Sequence, residues 1–182
     1  MGRSKPLLPI GDETFLGHLL KEIKASQINE TFIVLGYQPQ VVIGAMPEIA
    51  PITVINPNYT LGQLSSLQVG LREVGERDAI IMCLADHPFI TTEVIDSLIA
   101  AFESSGAPIV VPTLGGRRGH PTLFARSTFQ ELLDAPLDQG ARVVVQAHAE
   151  EVLEVPTEEA GILADIDTPE QYEVWLATWN RH

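Results

Sequence analysis

The stretch Ala79-Ile80-Ile81-Met82-Cys83-Leu84-Ala85-Asp86-His87-Pro88-Phe89 decides the reading of this chain. Six consecutive apolar residues without alternation describe a strand buried on both faces, and a carboxylate stands where the strand runs out. Such a strand needs helices above and below it, and the flanking sequence supplies them. Upstream, Ser65 to Glu73 reads as a helix, with Leu67 and Leu71 spaced by four. Downstream, Thr91-Thr92 precede a helical stripe of Val94, Ile95, Leu98, Ile99 and Phe102. Further upstream lie a strand at Ile52 to Ile55, a short helix opened by Pro39, a strand at Thr31 to Leu35, and a helix over 13–26. Toward the C-terminus come a strand at Pro108 to Pro112, a short one at Pro121 to Ala125, helices over 127–134 and 140–148, and an edge strand at Glu151 to Val155. Thr168-Pro169-Glu170-Gln171 combines an N-cap, a first-turn proline and a capping-box glutamine, and opens a last helix through Tyr172, Trp175 and Leu176. Strands alternating with helices predict a doubly wound α/β domain over residues 1–182, its sheet mostly parallel and covered on both faces. Ligands of such sheets bind beyond the carboxyl ends of the strands.

Composition narrows the function. Of 182 residues, 45% are hydrophobic and 19% charged, which excludes a disordered or coiled-coil chain. Eleven Lys and Arg against 24 Asp and Glu give a net charge of −13, which repels nucleic acid. Any phosphate handled here must be met by local cations or a metal. The single Cys83 excludes a disulfide framework and any CxxC metal site, and fits a reducing, cytoplasmic setting. No apolar run approaches the roughly 18 residues of a membrane span, and Met1 to Pro6 does not open a secretory signal.

Several places could carry chemistry. Asp86 is placed to hold a divalent cation or merely to cap its loop. Asn56 to Leu67 puts Gly62, Ser65 and Ser66 at a helix start, suited to polar ligand groups or to ordinary capping. Gly115 to Pro121 is the most basic stretch, a receiver for an anion or a solvated turn; His120 alone is too little for general-base work. Asp138-Gln139-Gly140-Ala141-Arg142 precedes a helix. Asp165 or Asp167 near Asp86 would make an oxygen site suited to magnesium, while Asp167 equally suits a helix N-terminus. Lys5 reads as solvated and Cys83 as an inert core residue. His18 and His148 give no spacing signal, and the five histidines form no recognisable zinc cluster.

Six words in order carry a resemblance: GRSKPLLP from Gly2, NPNYTLGQLSSL from Asn56, LADHPF from Leu84, GHPTLF from Gly119, DQGAR from Asp138 and DIDTPEQY from Asp165. Together they resemble the MobA-like nucleotidyltransferases of the molybdenum-cofactor group, above all the molybdenum-cofactor cytidylyltransferases and their purine-catabolism relatives. The resemblance implies a three-layer Rossmann-like nucleotidyltransferase fold, of the nucleotide-diphospho-sugar transferase type. It implies Mg2+-dependent transfer of CMP from CTP to molybdopterin, with pyrophosphate released. Cytidine is preferred because LLP after Lys5, LADHP and GHPTLF are more similar to the cytidylyl branch. Lys5 and Asp86 match the catalytic positions, and Asp86 and Asp167 the metal positions. Arg3, Lys5, Asn56, Gly62, Ser65 and Asp86 fall on the nucleotide side; Gly119, His120 and Arg142 fall toward the acceptor. Partners so implied are the nucleoside triphosphate, the molybdopterin-type acceptor, and a recipient molybdoenzyme apo-protein or its chaperone, with no nucleic acid or membrane.

The family resembled opens with a strand and a glycine-rich loop of the type L-A-A-G-x-S-x-R-M-G, and this sequence starts at the loop's final Met-Gly. The neighbouring strands are then expected to lack a pairing partner in a buried place. Three explanations are open: a start codon assigned to an internal methionine, a truncated chain, or a degenerate fold. The first is favoured, because Met1-Gly2 coincides with the motif's own Met-Gly. Two other functions stay open: transfer from GTP or to another acceptor, and non-catalytic binding and delivery of the cofactor.

Overall fold

The structure is a computed structural model that describes residues 4–179. Arg3, placed on the nucleotide side by resemblance, lies outside the described residues. In chain order the strands are β1 (Pro9–Ile10), β2 (Glu13–Thr14), β3 (Ile33–Leu35), β4 (Thr53–Ile55), β5 (Ala79–Met82), β6 (Ile109–Leu114), β7 (Arg117–Arg118), β8 (Thr122–Ala125) and β9 (Val152–Pro156). The helices are α1 (Phe15–Ala25), α2 (Pro39–Ala45), α3 (Gln63–Glu73), α4 (Thr92–Ser105), α5 (Phe129–Asp134), α6 (Arg142–Ala147) and α7 (Pro169–Trp179).

The α/β layering follows from the apolar strands, of which β6 and β8 are buried almost throughout and β5, expected to be buried on both faces, is only half-buried. One face of β5 presents Ile81 to Leu19 of α1 and to Ile95 and Leu98 of α4. Its other face presents Ile80 and Met82 to Leu64 and Leu71 of α3, a cluster that α5 and α6 complete with Leu132 and Val144. Leu98 and Phe124 have no exposed surface, and truncating either to alanine costs about 2–5 kcal/mol. Local chemistry sets the helix starts. Thr14 Oγ1 accepts from Gly17 N at 3.0 Å, so α1 begins at Phe15 and the preceding residues pair as the β1–β2 hairpin. Thr91 caps α4 in the same way, and Gly106 ends it in the left-handed conformation.

Parallel pairings join β3 to β4 and β6 to β9. β8 runs antiparallel between β5 and β6, so β5, β6 and β9 share one direction and point their carboxyl ends to one edge. A four-residue run carries no information on direction, so β8 was legible as a strand and not as a reversed one. The basic 117–118 segment, expected as a turn or anion receiver, pairs with the end of β6 as β7.

The sheet is in two parts. β3 pairs only with β4, β5 pairs only with β8, and no strand among the described residues joins them. Both lie under α1, whose Leu16 meets Ile33 and Leu35 while Leu19 meets Ile81. α3 backs both from the other side: Gly70 faces Val34 as Leu64 and Leu71 face β5. Helix α7 closes the far end, where Trp175 stacks on Phe89 at 5.2 Å and Tyr172 Oη donates to Pro9 O at 2.7 Å.

Candidate active site

The loop after β5 is the centre of a charged cluster. Lys5 Nζ lies 3.4 Å from Asp86 Oδ2 and 2.5 Å from Asp167 Oδ1. These three residues stand 81 and 162 positions apart in sequence. Burial alone would lower the Lys5 pKa. The hydrogen bond to Asp167 and the charge of Asp86 outweigh it and raise the pKa, so the ammonium is held protonated. The same bond holds the Asp167 carboxyl below its ordinary range.

Asp165 and His87 complete the cluster. One ligand atom each from Asp86, His87 and Asp165 lie within 4.8 Å of one another. The segment carrying Asp165 and Asp167 is strapped to the β5 loop by Ile166 N donating to Asp86 O at 3.2 Å. Two glycines make this possible. A Cβ on Gly161 would stand 1.9 Å from Phe89 O, and one on Gly119 would stand 2.5 Å from Ile162 O. Only glycine fits either approach. Gly119, expected on the acceptor side, thus serves to bring His120 in, whose N donates to Ile162 O at 2.9 Å. Downstream, the capping box forms as the sequence predicts: Gln171 Oε1 accepts from Asp167 N and Thr168 N, and Thr168 Oγ1 accepts from Gln171 N.

His87 and His120 meet edge to face with ring centroids 4.7 Å apart. Burial pushes the His120 pKa down to about 4, helped by the neighbouring His87. Burial also lowers that of His87, against the pull of Asp86, Asp165 and Asp167. Both rings are therefore neutral near pH 7, and the Nδ1 of each is buried without a hydrogen-bond partner. Cys83, two residues beyond Ile81 and partly buried beside Leu19 and Ile95, has its thiol pushed up to about 12 by burial, in keeping with an unreactive thiol.

A second group forms where β4 ends. Asn56 N donates to Leu35 O at 2.8 Å, tying the ends of β3 and β4 together. The Asn56 side chain is 1% exposed; its Nδ2 donates to Ser65 Oγ and Ser66 Oγ, and its Oδ1 accepts from Asn58 N. Ser65 Oγ donates in turn to Gly62 O at 2.7 Å. Gly62, at φ 99°, is the N-cap of α3. Asn56 and Ser65 therefore spend their polar atoms on shaping the loop. Tyr37, Tyr59 and Leu61 stand exposed around it, the two rings edge to face at 6.1 Å.

The 138–142 stretch belongs near this second group. Leu137 O lies 4.0 Å from where a Gly62 side chain would begin, and Gln68 Nε2 of α3 donates to Leu132 O, Leu133 O and Ala135 O. Arg142 opens α6, and its Nε donates to Gln139 O at 3.1 Å. The structure does not bond it to Gly119 or His120, with which the resemblance grouped it. Sequence reasoning passed over His87, because a single histidine beside an aspartate has no spacing signal. Asp165 it held only as an equal alternative to Asp167.

Comparison with known proteins now fixes the family. The sequence profile of the MobA-like NTP transferase domain matches residues 1–152. The chain belongs to this family. It is 28% identical over 186 residues to the purine catabolism protein PucB of Bacillus subtilis, covering 96% of this chain and 88% of that protein. It is 28% identical over 174 residues to a probable molybdenum cofactor guanylyltransferase of Mycobacterium marinum, covering 92% and 83%. Among solved structures, Rv0371c of Mycobacterium tuberculosis in complex with manganese superposes with a TM-score of 0.83 at 27% identity, covering 97% of this chain and 94% of that one. A nucleotidyl transferase of Methanothermobacter, at 19% identity and a TM-score of 0.84, shows the same Rossmann-like fold. The protein is a nucleotidyltransferase of this family. Across the described residues no helix is long and apolar enough to cross a membrane.

Proposed function

We propose that the chain, acting as one domain over residues 1–182, transfers CMP from CTP to the terminal phosphate of a molybdopterin-type acceptor. The observation that carries this reading is the Lys5 ammonium bridging Asp86 and Asp167 at the carboxyl end of β5. In the reaction an acceptor phosphate oxygen attacks the α-phosphorus of the nucleotide. A new P–O bond forms, the bond to the β-phosphate bridging oxygen breaks, and pyrophosphate leaves with that electron pair. The demands are in-line positioning and neutralisation of phosphate charge.

Lys5 meets the second demand directly, because it stays protonated and is only partly buried. Asp86 with Asp167 or Asp165 would hold the magnesium ion, which supplies further charge neutralisation when bound. The donor set fits a divalent ion: three carboxylates against one ammonium leave two negative charges. Manganese bound to Rv0371c supports a divalent ion in this fold. The N-terminus of α3, which Gly62 caps, offers backbone N–H groups to the nucleotide, in a loop whose shape Asn56 and Ser65 hold; the resemblance adds Arg3 as a further nucleotide-binding cation. His120, neutral near pH 7, and Arg142 orient the acceptor. A chain acting on free nucleotide and cofactor works in the cytoplasm and passes its product to a molybdoenzyme apo-protein or its chaperone.

Cytidine is supported by LLP after Lys5, LADHP and GHPTLF. Guanosine is the competing reading, because the relative in Mycobacterium marinum is described as a guanylyltransferase. The test supplies purified molybdopterin, Mg2+ and either CTP or GTP, and follows pyrophosphate release and the dinucleotide product. Product with CTP is expected. Product with GTP alone refutes the cytidine choice, and none with either nucleotide refutes the transfer.

A further inference from the structure

We propose that Asp86, His87 and Asp165 form a mixed oxygen–nitrogen site that takes a first-row transition-metal ion in preference to Mg2+, with a ring nitrogen of His87 as a ligand. The proposal rests on the reading that a divalent ion works beside Asp86. It goes further by giving that ion a nitrogen ligand and, with it, a selectivity.

The three ligand atoms lie within 4.8 Å of one another. Opposite ligands of an ion with bonds of about 2.1 Å stand about 4.2 Å apart, so small side-chain rotations close the set. His87 is 6% exposed, yet its Nδ1 has neither solvent nor a hydrogen-bond partner. Native proteins leave few buried polar atoms in that condition, and an ion is one of the things that explains them. The ring is also held in place. His87 N donates to Leu84 O at 3.0 Å, and the His120 ring abuts it edge to face. His120 is thus a positioning residue for the ligand. Asp165 reaches the site because Gly161 lets its segment close on Phe89.

Lys5 takes Oδ2 of Asp86 and Oδ1 of Asp167, and the ligand atoms within 4.8 Å of one another come from Asp86, His87 and Asp165. These donors are two carboxylates and an imidazole. Mg2+ strongly prefers oxygen ligands and water in near-ideal octahedral geometry. A nitrogen donor instead favours the first-row divalent ions, with affinity rising from Mn2+ to Cu2+ and falling again at Zn2+. Mn2+, the weakest binder of that series, is therefore the most demanding probe.

The test adds MnCl2 to the 182-residue chain without nucleotide and reads bound Mn2+ by electron paramagnetic resonance, with pulsed methods for hyperfine coupling. Bound Mn2+ is expected to show coupling to one nitrogen, which changes to the 15N pattern when only the histidines are 15N-labelled. This readout needs no variant, so it stands even if a substituted protein fails to fold. His87→Gln is expected to abolish the coupling and weaken Mn2+ binding by about tenfold or more. Asp165→Asn should weaken it comparably. Mg2+ should displace Mn2+ only at about tenfold excess or more. No Mn2+ binding, bound Mn2+ without nitrogen coupling, or coupling that survives His87→Gln overturns the site. Because no substrate is present, the two readings fail separately. CMP transfer with Mg2+ but no nitrogen-coupled Mn2+ leaves the transferase standing and removes the site. Nitrogen-coupled Mn2+ without transfer does the reverse.

Discussion

The two ends of the binding edge are built on opposite plans. At the end of β4, the Asn56 and Ser65 side chains bond to one another and to the loop backbone. At the end of β5, Asp86 and Asp165 lie beside His87 and His120, whose buried Nδ1 atoms have no partner. A satisfied network stabilises and shapes, whereas unsatisfied polar groups cost stability and await a ligand. The first end should therefore answer to stability measurements and the second to activity.

The largest effect is expected at the charged end. Asp86→Asn keeps the volume, removes the carboxylate charge and leaves Lys5 its bond to Asp167. Turnover should fall by about 10²–10³-fold, with the thermal midpoint nearly unchanged. A variant with normal turnover would break the comparison at once. The counterpart is Asn56→Ala, which takes a partner from the buried Ser65 hydroxyl and from the Asn58 N–H. It should lower unfolding stability by about 2–3 kcal/mol, read from the urea midpoint. An unchanged midpoint would mean that the Asn56 network is not what holds the loop.

The same contrast explains what was legible in the sequence. Layering was readable because it is local: β5 is an unbroken apolar run, and α4 carries its stripe at helical spacing. The Thr168–Gln171 box was readable for the same reason, since its partners are three residues apart. Start positions were less so. Thr14 was read inside a helix from 13, but its hydroxyl is spent on Gly17 N, which makes it the cap. The charged cluster was not legible from spacing at all. Lys5, Asp86 and Asp167 come from three distant segments, and before the motif resemblance Lys5 read as merely solvated. His87 joining Asp165 depends on a backbone approach at Gly161 that no side-chain pattern announces. The surroundings of Arg142 were no more legible, because Gln68 draws the 132–135 segment toward α3 through backbone carbonyls.

Arg142 offers a smaller effect that sharpens the boundary between the two ends. Its side chain is exposed and hydrogen-bonds Gln139 O, a single local contact, so Arg142→Ala should leave stability within about 0.5 kcal/mol. If it orients the acceptor, the acceptor KM rises several-fold while the CTP KM holds, a change of about 1 kcal/mol in binding. The opposite split would assign it to the Gly62 end, next to which Leu137 lies.

The smallest effect is a pH dependence present at one end only. The folded pKa of Asp167 is depressed by its bond to Lys5, and that of Lys5 is raised in turn. A depressed carboxyl contributes stability that is present above its unfolded value and lost as pH falls through the folded one. The raised ammonium contributes below its unfolded value and loses that contribution as pH rises through the folded one. The pair is therefore intact from about pH 4 to pH 10 and fails first on the acid side. In chelator, the fall in thermal midpoint between pH 5 and pH 3 should be smaller in Asp167→Asn than in the unaltered protein. Because Asp167 is well exposed, the difference should be only about 1–2 °C. Ser65→Ala, which removes no charge, should shift both midpoints equally and leave the fall unchanged. If Ser65→Ala altered the fall as much as Asp167→Asn, the two ends would be electrostatically coupled, and the division between a shaping end and a reacting end would not hold.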